Sequence, residues 1–403
     1  MRTRLAASIF VLTLAAILPA YAAEDALQLH QRLMVLDSHL DTPMNLGRPG
    51  WSILDAHTFE DDLSQVDLPR MEKGGLDGGF FAIYTPQGPR TPEGYANARD
   101  AALKRGREIR DMVAANSGRF GLALKADDAG PILASGRRIV FMSIENSYPA
   151  GKDIGLLKTF YDLGVRMAGP VHFTNNDLGD SSTDPKGPEF QGLSPLGKEF
   201  VAEANRLGIV LDASHASDAV FDQMLALSAS PIILSHSGAS AVFKHPRNID
   251  DARIRKLAAA GGVIQINSYS DYLVTTPENK ERDAALRALG MKYGPFRTLA
   301  GGKLKAYMTE RHAIEARYPS PKASIDDVMA HLLHVLKLAG PEHTGVGLDW
   351  DGGGGGAEGG HGPLQWPLSG HHGAIAGPGS GQGVALTPHS LSDGPEGGHT
   401  LTL

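Results

Sequence analysis

Two histidines stand at matching places in one stretch of this chain. Residues 208–237 read GIVLDASHASDAVFDQMLALSASPIILSHS: an apolar run ending in Asp-Ala-Ser-His215, a helix-forming segment, and a second apolar run ending in Ser-His236. Two short strands joined by a helix predict a βαβ unit, and such units build parallel sheets whose strands end at one rim. His215 and His236 are therefore expected to lie close enough to hold one divalent ion. Another apolar run leads into His39-Leu40-Asp41, which offers an imidazole and a carboxylate two residues apart, a pair that suits Zn(II) and similar ions. Glu145 ends a further apolar run, and its two oxygens suit a bridge between two ions. Two close cations lower the pKa of a shared water and polarise a carbonyl, so the chemistry expected is two-metal hydrolysis. Asp349, with no ligand role left to it, is expected to carry a proton from the water to a leaving amine. His172 is expected to donate to the developing oxyanion. Arg247, in His-Pro-Arg-Asn, suits a two-hydrogen-bond clamp on a substrate carboxylate, and Tyr269 is a further candidate for substrate contact. Each has a plainer reading as well: a strand-end histidine that only packs, an aspartate that binds a loop N–H, a surface arginine near a helix start.

These residues need a scaffold that brings many strand ends to one centre. Strands are predicted over 34–43, 78–84, 137–146, 164–176, 209–211, 232–234, 261–269 and 344–352. Helices are predicted over 92–116, 155–163, 197–207, 216–227, 247–262 and 324–339, with a polar Gly/Pro/Ser loop over 179–192 and a long insertion with helical stretches over 275–322. Eight strands, each followed by a helix or crossover, predict an α/β fold, the (β/α)8 TIM-type barrel, whose active sites lie at the C-terminal rim. The polar residues named above fall at that end of strands 1, 3, 4, 5, 6 and 8. A doubly wound open sheet is the alternative, but it would not bring all these ends round one point.

The two ends of the chain read differently from its middle. Arg2 and Arg4, an apolar run over 5–18 and Ala20-Tyr21-Ala22 predict a signal peptide over residues 1–22, with export to the periplasm. The barrel is expected over 23–352. Residues 353–403 are rich in Gly, Pro and His, and no Lys or Arg follows Lys337. They are expected to form a low-complexity, disordered tail, for which a shifted reading frame near Gly356 is one account. No amphipathic period marks a helix there to cover the last strand. The tail histidines are not expected to be ligands. The chain has no cysteine, so its core alone must stabilise it. A formal charge of −7 without a basic cluster points away from nucleic acid and anionic lipid as partners, and no stable membrane anchor is expected.

Together the pieces DSHLDTP, LPRMEKGGLDGGFFAIY, SIEN, GVRMAGPVHFTNN, GIVLDASHAS, PIILSHSGA, HPRNIDD, INSYSDYL and GVGLDWDG resemble, in order, the renal (membrane) dipeptidase family, metallopeptidase family M19. The resemblance covers roughly residues 33–352. It implies a (β/α)8 barrel with two Zn(II) ions: His39 and Asp41 on one, His215 and His236 on the other, and Glu145 between them. It further implies His172 as the substrate-polarising histidine, Arg247 as the holder of the dipeptide's C-terminal carboxylate, and Asp349 as the proton shuttle. The activity implied is dipeptide hydrolysis, with a D-residue tolerated at the second position, and relatives are often homodimers. The chain departs from the family in reading His-Leu-Asp where many relatives have His-Asn-Asp, and Asn-Ser rather than Gly-Gly after Glu145. The alternatives are another metal-dependent amidohydrolase, such as a lactonase or β-lactam hydrolase, and a non-catalytic remnant.

Overall fold

The structure, a computed structural model, describes residues 30–352. The signal segment expected over 1–22 and the tail expected over 353–403 lie outside the described residues. Ten strands occur within the described residues: β1 (Leu36–Leu40), β2 (Gly78–Ile83), β3 (Phe120–Leu122), β4 (Arg138–Ile144), β5 (Val165–Ala168), β6 (Val210–Leu211), β7 (Ile233–Ala239), β8 (Asn248–Ile249), β9 (Val263–Ile266) and β10 (Thr344–Val346). Two parallel ladders, β1-β2-β4-β5-β6 and β7-β9-β10, account for eight of them. Single parallel bridges join the ladders into a ring: Asp212 with Ile233 on one side, Leu40 with Trp350 on the other. Asp41 N–H donates to Trp350 O at 2.9 Å across the second seam. The result is the (β/α)8 barrel, and its eight strands are the eight expected ones.

The strands are short, apolar and buried on both faces, as parallel strands are when side chains fill one face and helices cover the other. Leu36, Phe80, Phe141, Met167, Ile233 and Val263, from six strands, form one buried cluster in the barrel interior, with Phe80 and Phe141 stacked 4.9 Å apart. A larger cluster fills the layer between strands and helices and includes Phe81, Phe160, Phe200, Phe221 and Leu332. Gly347, just past β10, is required by packing: a Cβ there would lie 1.8 Å from Ser235 O on β7.

The differences from expectation lie at element ends. Strands predicted through residues 176 and 352 stop at Ala168 and Val346, and the chain runs on as rim loops. The helix predicted from 247 begins at Asp251, because Asn248–Ile249 pair with Gly238–Ala239 of β7 as β8 and Asp250 supplies the N-cap. The short β3, which pairs with β4 outside the ring, was not expected. The helix predicted over 216–227 runs Asp218–Leu227, started by Ser217, whose hydroxyl accepts from Val220 N–H at 3.2 Å. This cap sits two residues past His215 and ties the rim loop to the helix.

Candidate active site

One carboxylate lies at the centre of the rim. Glu145, immediately after β4, places Oε1 3.0 Å from His215 Nε2, 3.4 Å from His236 Nε2, 3.5 Å from His172 Nε2 and 3.6 Å from His39 Nε2. These five residues come from five different strands or the loops that follow them. His215 and His236 bring their Nε2 atoms within 2.9 Å of each other. On the other side, His39 Nε2 lies 3.7 Å from Asp41 Oδ2 and 4.0 Å from Asp349 Oδ1. The structure thus brings together His39, Asp41, Glu145, His172, His215, His236 and Asp349. Arg247 and Tyr269 flank the group rather than join it.

Backbone conformation aims two of these side chains. His215 and Asp349 adopt φ of 67° and 63°, in the left-handed region that residues with a Cβ seldom occupy. Such a conformation costs about 1–3 kcal/mol per residue and persists only where surrounding contacts hold it. Here Ala213 N–H donates to Ile233 O and Ser182 N–H to His215 O, holding the turn on both sides. Asp349 is held by Asn267, whose Nδ2 donates to Oδ2 at 3.2 Å.

Burial without compensation distorts the acid–base behaviour of the group. Glu145 is pushed well above the usual carboxylate range, chiefly by burial, with Asp41 and Asp349 adding repulsion against the pull of His39. Burial also raises Asp349. His215 and His236 are pushed well below the usual imidazole range by burial first, then by the nearby positive groups Arg247 and His39. Burial and Arg247 likewise lower His172 to about 3, so at neutral pH its ring is uncharged and carries one N–H. His39 is the exception. Burial would lower it, but Glu145, Asp41 and Asp349 together raise it to about 10. A cluster of three carboxylates that draws a positive charge onto a buried histidine is one that a bound cation would neutralise.

The donor set fits divalent metal. His39, Glu145 and His236 form one group with ligand atoms within 4.8 Å of one another, Glu145, His172 and His215 a second, and His39, Asp41 and Asp349 a third. Both ring nitrogens of His39, Asp41 Oδ1, Glu145 Oε2 and His215 Nδ1 are buried without a hydrogen-bond partner. Orphaned buried polar atoms are costly and rare, and these lie on Glu145 and on residues grouped around it. Nitrogen and oxygen ligands of one tetrahedral ion lie roughly 3.4 Å apart, close to the spacings around Glu145 Oε1.

Sequence reasoning missed the residues that hold these side chains. Ser235 Oγ donates to Asp212 Oδ2 at 2.5 Å and lies 2.8 Å from His236 Nδ1. Asp212 Oδ1 accepts from Ser214 N–H and Ser235 N–H at 2.9 and 3.0 Å. The single hydroxyl proton of Ser235 goes to Asp212, so the hydroxyl accepts from His236 Nδ1–H and leaves the Nε2 lone pair facing Glu145. The signal available was an aspartate, Asp212, at the end of an apolar strand run. Arg247 is buried, donates through Nη2 to His236 O at 2.9 Å, and keeps Nε unpartnered. Its guanidinium carbon lies 5.2 Å from the Tyr272 ring, which packs at a tilt against Tyr269 at 4.7 Å. His172 lies between Tyr84, at 4.9 Å, and Phe173, at 3.9 Å.

Comparison with known proteins places this geometry in a family. The family model described as membrane dipeptidase (Peptidase family M19) matches residues 23–367. The dipeptidase verJ of Clonostachys rogersoniana is 29% identical over 339 residues, covering 81% of this chain and 74% of that protein. An uncharacterised dipeptidase of Schizosaccharomyces pombe, C965.12, is 28% identical over 333 residues, covering 79% of this chain and 69% of its own. Among solved structures, the probable dipeptidase PvdM from Pseudomonas aeruginosa superposes with a TM-score of 0.71 at 28% identity, covering 86% of this chain and 90% of that one. A metallopeptidase from Rhodobacter sphaeroides, solved with a phosphinate mimic of the dipeptide L-Ala-D-Ala, gives a TM-score of 0.63 at 26% identity, covering 83% and 90%.

Proposed function

This chain belongs to the membrane dipeptidase family, peptidase family M19, and we propose that it hydrolyses dipeptides, including those with a C-terminal D-residue, with two zinc ions at the barrel rim. The observation that carries this reading is the convergence of four imidazole Nε2 atoms on Glu145 Oε1 within 3.6 Å. His39 and Asp41 would hold one ion, His215 and His236 the other, and Glu145 would serve both. Bound divalent ions supply Lewis acidity, which activates water at neutral pH and polarises the scissile carbonyl. The mimic of L-Ala-D-Ala in the Rhodobacter sphaeroides relative supports the D-residue at the second position.

The chain's own residues do the rest. Arg247 takes the dipeptide's C-terminal carboxylate through its free Nε edge while Nη2 stays on His236 O. Neutral His172 offers its ring N–H to the carbonyl oxygen as negative charge develops there. Asp349, kept up by burial, accepts a proton from the attacking water and returns it to the leaving amine, with Asn267 holding its other oxygen. Tyr269, packed against Tyr272 beside Arg247, walls the carboxylate end. The leader-like residues 1–22 support a periplasmic location. No described helix is long and apolar enough to cross a membrane. The test is reversible inactivation: protein stripped by a chelator should lose cleavage of L-Ala-D-Ala and regain it with Zn(II). Full cleavage by metal-free protein would end the reading.

A further inference from the structure

We infer that the site favours dipeptides whose N-terminal residue carries a side-chain carboxylate, which Arg297 binds with Arg105 beside it. The inference rests on the dipeptidase reading above and names a substrate class within it.

Among the described residues, two guanidiniums without an ion-pair partner flank the rim cluster, one buried and one half-buried. One is Arg247, on the side of His236. The other is Arg297, in the 3-10 turn Phe296–Thr298, where the 275–322 insertion folds back onto the barrel. Arg297 Nη2 donates to the backbone carbonyl of Asp351 at 3.1 Å, and its Nη1 is buried with no partner. The Asp351 carboxylate is already engaged, accepting from Thr42 Oγ1 at 2.7 Å and Gln65 N–H at 2.8 Å. Arg297 is thus tied to Asp351, whose carboxylate holds the hydroxyl of Thr42, the neighbour of Asp41 in the chain, which places it on the Asp41 side of the cluster; burial lowers Arg297, while Asp351 and Asp41 raise it.

Two more arginines stand behind it. Arg105, from the helix Pro92–Ala115, is fixed by Pro43 O and by Glu108 at 2.8 Å and leaves Nε buried and unpartnered. Arg48 is paired with Asp62 and lies 4.9 Å over the Phe296 ring, packing against the turn that carries Arg297. Arg297 in turn weakens the hold of both Arg48 and Arg105 on their protons. Even partial burial of a charge without a counter-ion is costly, and a planar guanidinium fork matches a carboxylate best.

The orientation follows from the reaction. With the C-terminal carboxylate on Arg247 and the scissile carbonyl between His172 and Glu145, the N-terminal residue extends past His39 towards Asp41. Its side chain then meets Arg297. A carboxylate there supplies the missing counter-ion; the isosteric amide does not.

The test compares L-Glu-L-Ala with L-Gln-L-Ala and L-Asp-L-Ala with L-Asn-L-Ala on the zinc-loaded enzyme. The expected kcat/KM ratio of acid to amide is about 10-fold or more for at least one pair, from one charge-assisted hydrogen-bond pair. Arg297→Met should bring that ratio towards one, and Arg297→Lys should restore part of it. Because Arg297→Met touches a half-buried group, the wild-type ratio, which needs no variant, carries the test by itself. A ratio at or below one in the wild type, or a ratio that Arg297→Met leaves in place, would overturn the inference while leaving the dipeptidase reading intact. Failure to cleave any of the four substrates would take down that reading and this one with it.

Discussion

Changing Asp212 to asparagine alters one atom and should damage metal binding more than deleting the hydroxyl between it and His236, a proposed ligand. In the native arrangement, Asp212 Oδ1 holds two backbone N–H groups and Oδ2 takes the proton of Ser235, which obliges Ser235 to accept from His236 Nδ1. His236 then presents a bare Nε2 to Glu145 and His215. In Asp212→Asn the amide oxygen must stay on the two N–H donors, so its NH2 faces Ser235 Oγ. Ser235 then turns its proton onto His236 Nδ1, and the proton of the ring moves to Nε2, where a ligand needs a lone pair. Coordination has to break this reversed relay. With Asp212, Ser235 and His236 all buried, that costs about 1–3 kcal/mol, or roughly 10–100-fold in affinity at ~1.4 kcal/mol per decade. Ser235→Ala only removes the relay and leaves the tautomer free, so its loss should be about 10-fold. The assay is competition for Zn(II) against a chromophoric chelator, with ions per chain counted at each point. Tighter binding by Asp212→Asn than by Ser235→Ala, or wild-type binding by both, would refute the argument.

Three further outcomes follow from named contacts. Arg247→Met should raise KM for dipeptides by roughly 10–100-fold with a much smaller change in kcat, since it removes binding made before the chemical step; a fall in kcat at constant KM would assign Arg247 another task. His57 donates from Nδ1 to Asp62 at 2.8 Å and from Nε2 to Ser52 O at 2.9 Å, which needs both nitrogens protonated. Burial opposes both charges, yet the pair raises His57 and lowers Asp62. Asp62 therefore stabilises above its ordinary pKa and loses this as pH falls through its lowered one. His57 stabilises below its ordinary pKa and loses this as pH rises through its raised one. The stability difference between wild type and His57→Gln, by urea titration, should thus be largest between about pH 4 and 6.5, and a difference that grows above pH 8 would contradict the ion pair. Gly347→Ala drives a Cβ to within 1.8 Å of Ser235 O and 2.5 Å of Ser38 Oγ, so it should lower Tm sharply, whereas Gly302→Ala, with nothing within 4 Å, should leave Tm unchanged or slightly higher. Equal melting of the two variants would mean that β10 can move away from β7.

The sequence makes the barrel legible because each of its strands is a short apolar run, and six of the eight are followed by a polar residue with chemistry to offer. His39, Glu145, His172, His215, His236 and Asp349 were visible for that reason: parallel strands end together, so strand-end residues meet. Element ends were less legible. Beyond the last ladder bonds the chain turns into rim loops, with Asp349 and Asp351 at positive φ, and residue type alone does not mark where pairing stops, so the predicted strands overran β5 and β10. A two-residue strand such as Asn248–Ile249 has no period to detect. Asp212 and Ser235 sit in or beside apolar runs, where a polar residue reads as an exception and its partner across the strands cannot be named. Arg297 was hidden for a different reason. It comes from an insertion whose return to the barrel is made by contacts 54 residues apart, such as that with Asp351 O, which no local pattern encodes.

The central claim is that these converging side chains form a two-ion hydrolytic site. Titrating Zn(II) into metal-stripped protein, while following L-Ala-D-Ala cleavage and bound metal in the same samples, tests it most directly. The account predicts that activity rises until about two ions per chain are bound and then levels, and that Glu145→Gln abolishes both the second ion and the activity. Full activity at one ion per chain, or two tightly bound ions with no cleavage of any dipeptide, would contradict it.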